Sequence, residues 1–168
     1  MFKLLFHRIA ACLKLGVSES QKIAVITENN GQQTNGVIPA SARGVPLRIL
    51  IVEDHADTLQ TLAGLLVNCG YDISTADCTR KALKTVEEKQ FDVILSDIDL
   101  PDGTGYDVIS QAKRTQTLKG VAISGLDGSE DFRRSKKAGF DFHLIKPLDF
   151  PELCTILHGF EPLAIAVA

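Results

Sequence analysis

Between Leu47 and Leu157 five short strand-like runs alternate with five stretches whose apolar residues recur at helical spacing, and few folds accept that alternation. The strand-like runs are 47–52, 71–76, 93–96, 119–124 and 142–145. Leu59, Leu62, Leu66 and Cys69 carry the first helical stretch, and Ala82, Leu83 and Val86 carry one over about 79–89. Further helices are predicted over 106–114, 130–138 and 151–157, with Gly70 and Gly139 as stops and Asp149 as an N-cap. Strands each followed by a helix pair in parallel and need helices on both faces of the sheet. Runs as continuously apolar as 93–95 fit strands buried on both sides. The expectation is therefore an α/β domain in three layers, α/β/α, around a doubly wound five-stranded parallel sheet.

In such sheets ligands bind beyond the carboxyl ends of the strands, where the winding reverses. Glu53, Asp54, Asp97, Ser124 and Lys146 all fall at those ends. Carboxylates gathered there repel one another unless a cation lies among them or they hold protons. Magnesium, which takes oxygen ligands, suits Glu53, Asp54 and Asp97. An aspartate can act as nucleophile toward phosphorus. A lysine opposite it would neutralise phosphoryl charge, and a serine hydroxyl would donate to a further oxygen. Taken singly, each residue has a plainer reading: Asp97 as a turn cap, Ser124 as a turn former, Lys146 as a solvated surface group. The coincidence of all five at strand ends argues for a site. Asp99 and Asp102 read as loop carboxylates, and His55 reads as facing solvent.

The rest of the chain bounds the class. It has 168 residues and a net charge of −3. Residues 1–46 are net basic, with Lys3, Arg8, Lys14, Lys22 and Arg43 against Glu19 and Glu28, so the remainder is acidic. An acidic body argues against direct nucleic-acid binding. Cys12, Cys69, Cys78 and Cys154 form no C-x-x-C pair and read as reduced, small hydrophobic residues. No segment approaches the ~18 apolar residues that cross a bilayer. Ile9-Ala10-Ala11-Cys12 has a lipoprotein-like look, but His7 and Arg8 interrupt the apolar stretch that export needs. A cytoplasmic location is expected. Residues 2–15 suggest a short amphipathic helix, 23–26 a brief strand, and 17–45 a turn-rich linker. The expected organisation is 1–46 as a poorly ordered extension, 47–160 as the domain, and 161–168 as a tail.

These residues, in this order, resemble the receiver domain of two-component response regulators. The chain has the acidic pair Glu53-Asp54, then Asp97 with Pro101 and Gly105 four and eight residues on, then Ser124, then Lys146-Pro147. The resemblance implies a flavodoxin-like sheet of strand order 2-1-3-4-5. It also implies that Asp97 accepts phosphate from a sensor histidine kinase or histidine phosphotransfer protein. Glu53, Asp54 and Asp97 would hold Mg2+ with the backbone carbonyl of Asp99, Lys146 would sense the phosphoryl group, and a cis bond would precede Pro147. Ser124 would be the switch hydroxyl. His143 stands where many members carry Tyr or Phe as its partner in the switch. The domain would be no enzyme beyond Mg-dependent self-phosphorylation and autodephosphorylation. Signalling would run through a downstream protein or a phosphorelay, from a face near 130–157, with self-association left open. Too little chain follows Leu157 for an output domain, so a single-domain regulator is expected.

Two rival readings remain. Asp97-Ile98-Asp99 after an apolar strand also resembles the Asp-x-Asp of haloacid-dehalogenase-like phosphohydrolases, with Asp99 as acid/base. That family usually places the motif on its first strand and follows it with a Gly-Thr-like pair, whereas Leu100-Pro101 follows here. A degenerate receiver that only binds protein is the other, and the intact residue set speaks against it.

Overall fold

Side chains along the inner strands divide between two cores, because successive Cβ atoms on a strand point to opposite faces. In β1 (Arg48–Val52) Ile49 and Ile51 enter one core while Leu50 and Val52 enter the other. In β3 (Val93–Asp97) Val93 and Leu95 are set against Ile94, and in β6 (Lys119–Ser124) Val121 and Ile123 are set against Ala122. Leu62 and Leu66 of α1 (Ala56–Asn68) and Leu153 and Leu157 of α5 (Phe150–His158) cover the first face. Ala82 and Val86 of α2 (Thr79–Glu88) and Val108, Ile109 and Ala112 of α3 (Gly105–Thr115) cover the second. Each large aliphatic side chain removed from water in this way contributes about 1.5–3 kcal/mol. This is a computed structural model, and it describes residues 46–125 and 128–160.

With β2 (Asp72–Ala76) and β7 (Phe142–Ile145) the sheet has five strands in the order β2-β1-β3-β6-β7, all parallel. A two-stranded antiparallel hairpin, β4 (Asp99–Leu100) and β5 (Gly103–Thr104), interrupts the alternation between β3 and α3. Leaving that hairpin aside, the sheet order is the expected 2-1-3-4-5. The winding reverses between β1 and β3, so Glu53 and Asp97 emerge side by side at the switch point.

Local chemistry sets the helix limits within a residue or two of expectation. Thr104 and Asp107 form a capping box on α3: Asp107 N donates to Thr104 Oγ1 at 3.2 Å and Thr104 N to Asp107 Oδ2 at 3.1 Å. Asp149 caps α5 by accepting from Glu152 N at 3.1 Å. Gly139 closes α4 (Ser129–Ala138) in the left-handed region at φ 115°, where a side chain would be strained. Cys154 is buried and Cys78 half-buried, both free. Cys69 departs from its expectation: it is half-buried at the C-cap of α1 and disulfide-bonded. The expected amphipathic helix over 2–15, the brief strand over 23–26 and the tail over 161–168 lie outside the described residues.

Candidate functional site

Strand β1 runs out of the core at Glu53, which stays almost wholly buried (4% exposed), and the next residue, Asp54, turns outward to solvent. Asp97, the last residue of β3, is 7% exposed. Two carboxylates this buried need a counter-charge. Lys146 supplies it: its Nζ donates to Glu53 Oε2 at 3.0 Å and to Asp97 Oδ2 at 2.5 Å. Burial alone would push the Lys146 ammonium toward neutrality. The hydrogen bonds to Asp97 and Glu53 outweigh it and hold the pKa above the ordinary lysine value. Lys146 reaches the site because β7 ends beside β6, where Lys146 N donates to the carbonyl of Ser124 at 2.7 Å. The Lys146–Pro147 bond is cis, as expected.

Ser124 ends β6 fully buried, one residue past Ile123, the register partner of Asp97. Asp99 is exposed, and its N–H donates to Asp97 Oδ1 at 3.2 Å. The loop after Asp97 is packed against its own strand: a Cβ on Gly105 would lie 2.2 Å from the Asp97 carbonyl oxygen. That close approach explains why glycine stands eight residues after Asp97. The Asp97 carbonyl also accepts from the Ser96 hydroxyl at 2.7 Å, inside the core.

His55 is mostly exposed, as expected, yet it is not idle. Its Nδ1 lies 2.9 Å from Asp54 Oδ1 and 3.3 Å from Glu53 Oε1. Asp54 first, then Glu53, hold its pKa above the ordinary histidine value. His143 faces α4. Its Nδ1 is 2.8 Å from the buried Ser135 hydroxyl of α4, and its ring packs on Phe132 with centroids 4.5 Å apart. Asp102 is an exposed loop carboxylate, as expected, but it also has a role the sequence did not show. Asp102 accepts from the backbone N–H groups of Thr79 and Arg80 at the start of α2, at 2.7 and 3.1 Å.

Glu53, Asp54 and His55 each offer a ligand atom within 4.8 Å of the others, and Asp97 adjoins Glu53 across Lys146. The carboxylates form a hard oxygen set, which fits magnesium and not a thiolate-seeking metal. Chemically, the arrangement sets the Asp97 carboxylate, which could act as a nucleophile, beside a lysine ammonium and further oxygen donors.

The response regulator receiver domain model matches residues 49–158, and the chain belongs to that family. It is 28% identical over 114 residues to the cell cycle response regulator CtrA of Brucella abortus (strain 2308), an alignment covering 67% of this chain and 49% of the relative. The chain thus spans about half the length of the curated relatives it matches. Among solved structures, a CheY-like receiver domain protein from Methanospirillum hungatei JF-1 superposes with TM-score 0.65 at 28% identity, covering 68% of this chain and 92% of that one. A CheY-like receiver domain from Methylobacillus flagellatus gives TM-score 0.60 at 30% identity, covering 70% of this chain and all of that one. Residues 49–158 are therefore a receiver domain of the two-component type, a family whose members are signalling modules that typically bind Mg2+ at an acidic site. Among the described residues no helix is long and apolar enough to cross a membrane.

Proposed function

We propose that Asp97 accepts a phosphoryl group from a phosphohistidine on a sensor kinase or phosphotransfer protein. The observation that carries this reading is the bridge from Lys146 Nζ to both Glu53 and Asp97. A carboxylate oxygen of Asp97 bonds to phosphorus as the phosphorus–nitrogen bond of the donor breaks, and the departing imidazole nitrogen takes a proton. Glu53, Asp54 and Asp97, with the carbonyl of Asp99, would hold Mg2+, which when bound neutralises charge on the transferring oxygens. Lys146 then turns from the Asp97 carboxylate to a phosphoryl oxygen, and the Ser124 hydroxyl donates to another. Like Mg2+ binding, this is electrostatic positioning, which is most of what phosphoryl transfer asks of a protein.

The phosphorylated domain signals by binding another protein or by passing its phosphoryl group to a histidine phosphotransfer protein, in the cytoplasm and without direct nucleic-acid contact. Of the four large hydrophobic residues left exposed among the described residues, Phe132, Phe142 and Ile145 lie on α4 and β7, which supports 130–157 as the output face. Ser124 and Lys146 adjoin that face, and a few kcal/mol of differential interaction suffices to move a two-state population.

The test is labelling with a small phosphodonor such as acetyl phosphate. Wild type should label with Mg2+ and stay unlabelled when excess chelator is present from the start, and Asp97→Asn should not label. Equal labelling of the variant, or labelling in chelator, overturns the assignment. Sustained turnover of a phosphomonoester would instead favour the hydrolase chemistry of Asp97 and Asp99.

A further inference from the structure

Helix α2 begins without a cap of its own. Its N-cap residue, Cys78, makes no side-chain cap bond, and the first N–H groups of any helix lack partners within it. Asp102, 23 residues away in sequence, supplies them. Its Oδ1 accepts from Thr79 N at 2.7 Å and its Oδ2 from Arg80 N at 3.1 Å. These bonds, the Arg80 N–H foremost, hold the Asp102 carboxyl below the usual aspartate range. A negative charge is also favoured at that end of a helix. The neighbouring backbone lies flat on the same turn, since a Cβ on Gly103 would sit 2.9 Å from Thr79 Oγ1.

We infer that Asp102 is a positioning residue, clamping the 99–105 loop onto α2 so that Asp99 is presented correctly to Asp97. The inference rests on the proposed metal-holding role of that loop. Asp102 sits at the turn of the hairpin in which Asp99 pairs with Thr104 and Leu100 with Gly103. Two-residue strands do not hold together unaided, so the hairpin takes its geometry from its anchors. One is Gly105, whose N–H donates to the Ile98 carbonyl at 2.9 Å against β3. The other is the Asp102 clamp. Asp99 lies between them, with its N–H on Asp97 Oδ1. Losing the clamp frees the outer end of the hairpin while β3, Asp97 and Lys146 keep their places.

The test compares Asp102→Ala and Asp102→Asn with Asp141→Asn in the full chain. Asp141 is a control because it binds Lys113, Lys119 and the Gly120 N–H, at the opposite ends of the strands. Two readouts are needed: amide exchange across 99–105 in chelator, and Mg2+ affinity by calorimetry. Asp102→Ala should speed exchange in 99–105 and weaken Mg2+ about tenfold, as loss of a group orienting a metal ligand does. Asp102→Asn, which keeps one acceptor oxygen, should fall between, and carries the test where the alanine variant does not fold. Asp141→Asn should alter neither readout. Unchanged exchange in 99–105, or equal effects from the Asp141 control, overturns the positioning role whatever the metal does. A wild type that exchanges as described but binds no Mg2+ would instead sink the functional reading beneath it.

Discussion

Replacing Lys146 by methionine keeps most of the side-chain stem and removes the charge that Glu53 and Asp97 share. Stripping one partner from a buried ion pair costs about 3–5 kcal/mol, because a charge is left behind in low dielectric. Lys146 is a third exposed at its side chain, so water reaches the site and the cost falls to roughly 1–3 kcal/mol. Magnesium held there as proposed would restore a cation to the same carboxylates, and binding to the folded state alone adds about 2.7 kcal/mol at a hundredfold excess over Kd. Lys146→Met should therefore be less stable than wild type in chelator and close most of that gap in saturating Mg2+. Its Mg2+ affinity should also exceed that of wild type, since no ammonium competes for Glu53 and Asp97. Urea denaturation followed by circular dichroism, with and without chelator, reads both effects. A deficit of the same size in chelator and in Mg2+ would refute the shared-cation argument, as would no deficit in chelator. Alkaline titration gives the linkage sign. With its pKa raised, Lys146 contributes in full below the ordinary lysine value of 10.5, and the contribution is lost as pH climbs through the higher folded value.

Two further predictions concern the end of the sheet away from the site. Gln116 is 7% exposed, and its amide donates to the carbonyls of Val86 and Lys89 at 2.6 and 2.7 Å while accepting from Phe91 N at 2.9 Å. Gln116→Leu strands those backbone groups and should lower the unfolding free energy by about 2–4 kcal/mol in urea, with Mg2+ affinity unchanged. Burial pushes the Asp141 carboxyl up, but Lys113, the Gly120 N–H and Lys119 together bring it below the usual value of 3.8. Its stabilisation, about 1 kcal/mol or less for so exposed a network, is present above that value and lost as pH falls through the lower folded one. The difference between wild type and Asp141→Asn should accordingly shrink on acidification below pH ~4.

What the sequence made legible follows from how far each signal travels along the chain. Strands β1 and β3 are buried on both faces, so their centres are written as apolar runs, and the first charged residue after each run stands at the strand's carboxyl end. That is why Glu53 and Asp97 could be placed at one edge before any contact was known. The hairpin Asp99–Leu100 with Gly103–Thr104 has no such signature. Its strands are too short for a two-residue period to show, and it exists because Gly105 and Asp102 hold it from outside. The capping role of Asp102 was hidden for the same reason: its partners are Thr79 and Arg80, and a helix cap supplied from a distant loop leaves no local motif. The one available clue was negative, an α2 that starts after Cys78 with no Ser, Asp or Asn at its N-cap. His143 shows the converse. Its position before Lys146 suggested a switch, while the residues it meets left no trace in the sequence: the buried Ser135 hydroxyl and the Phe132 ring, both on α4. If Ser124 and Lys146 move toward a phosphoryl group as proposed, His143 offers that movement a route from β7 to α4. On that route the imidazole links strand to helix, so the proposed switch predicts that α4 and β7 shift together on phosphorylation.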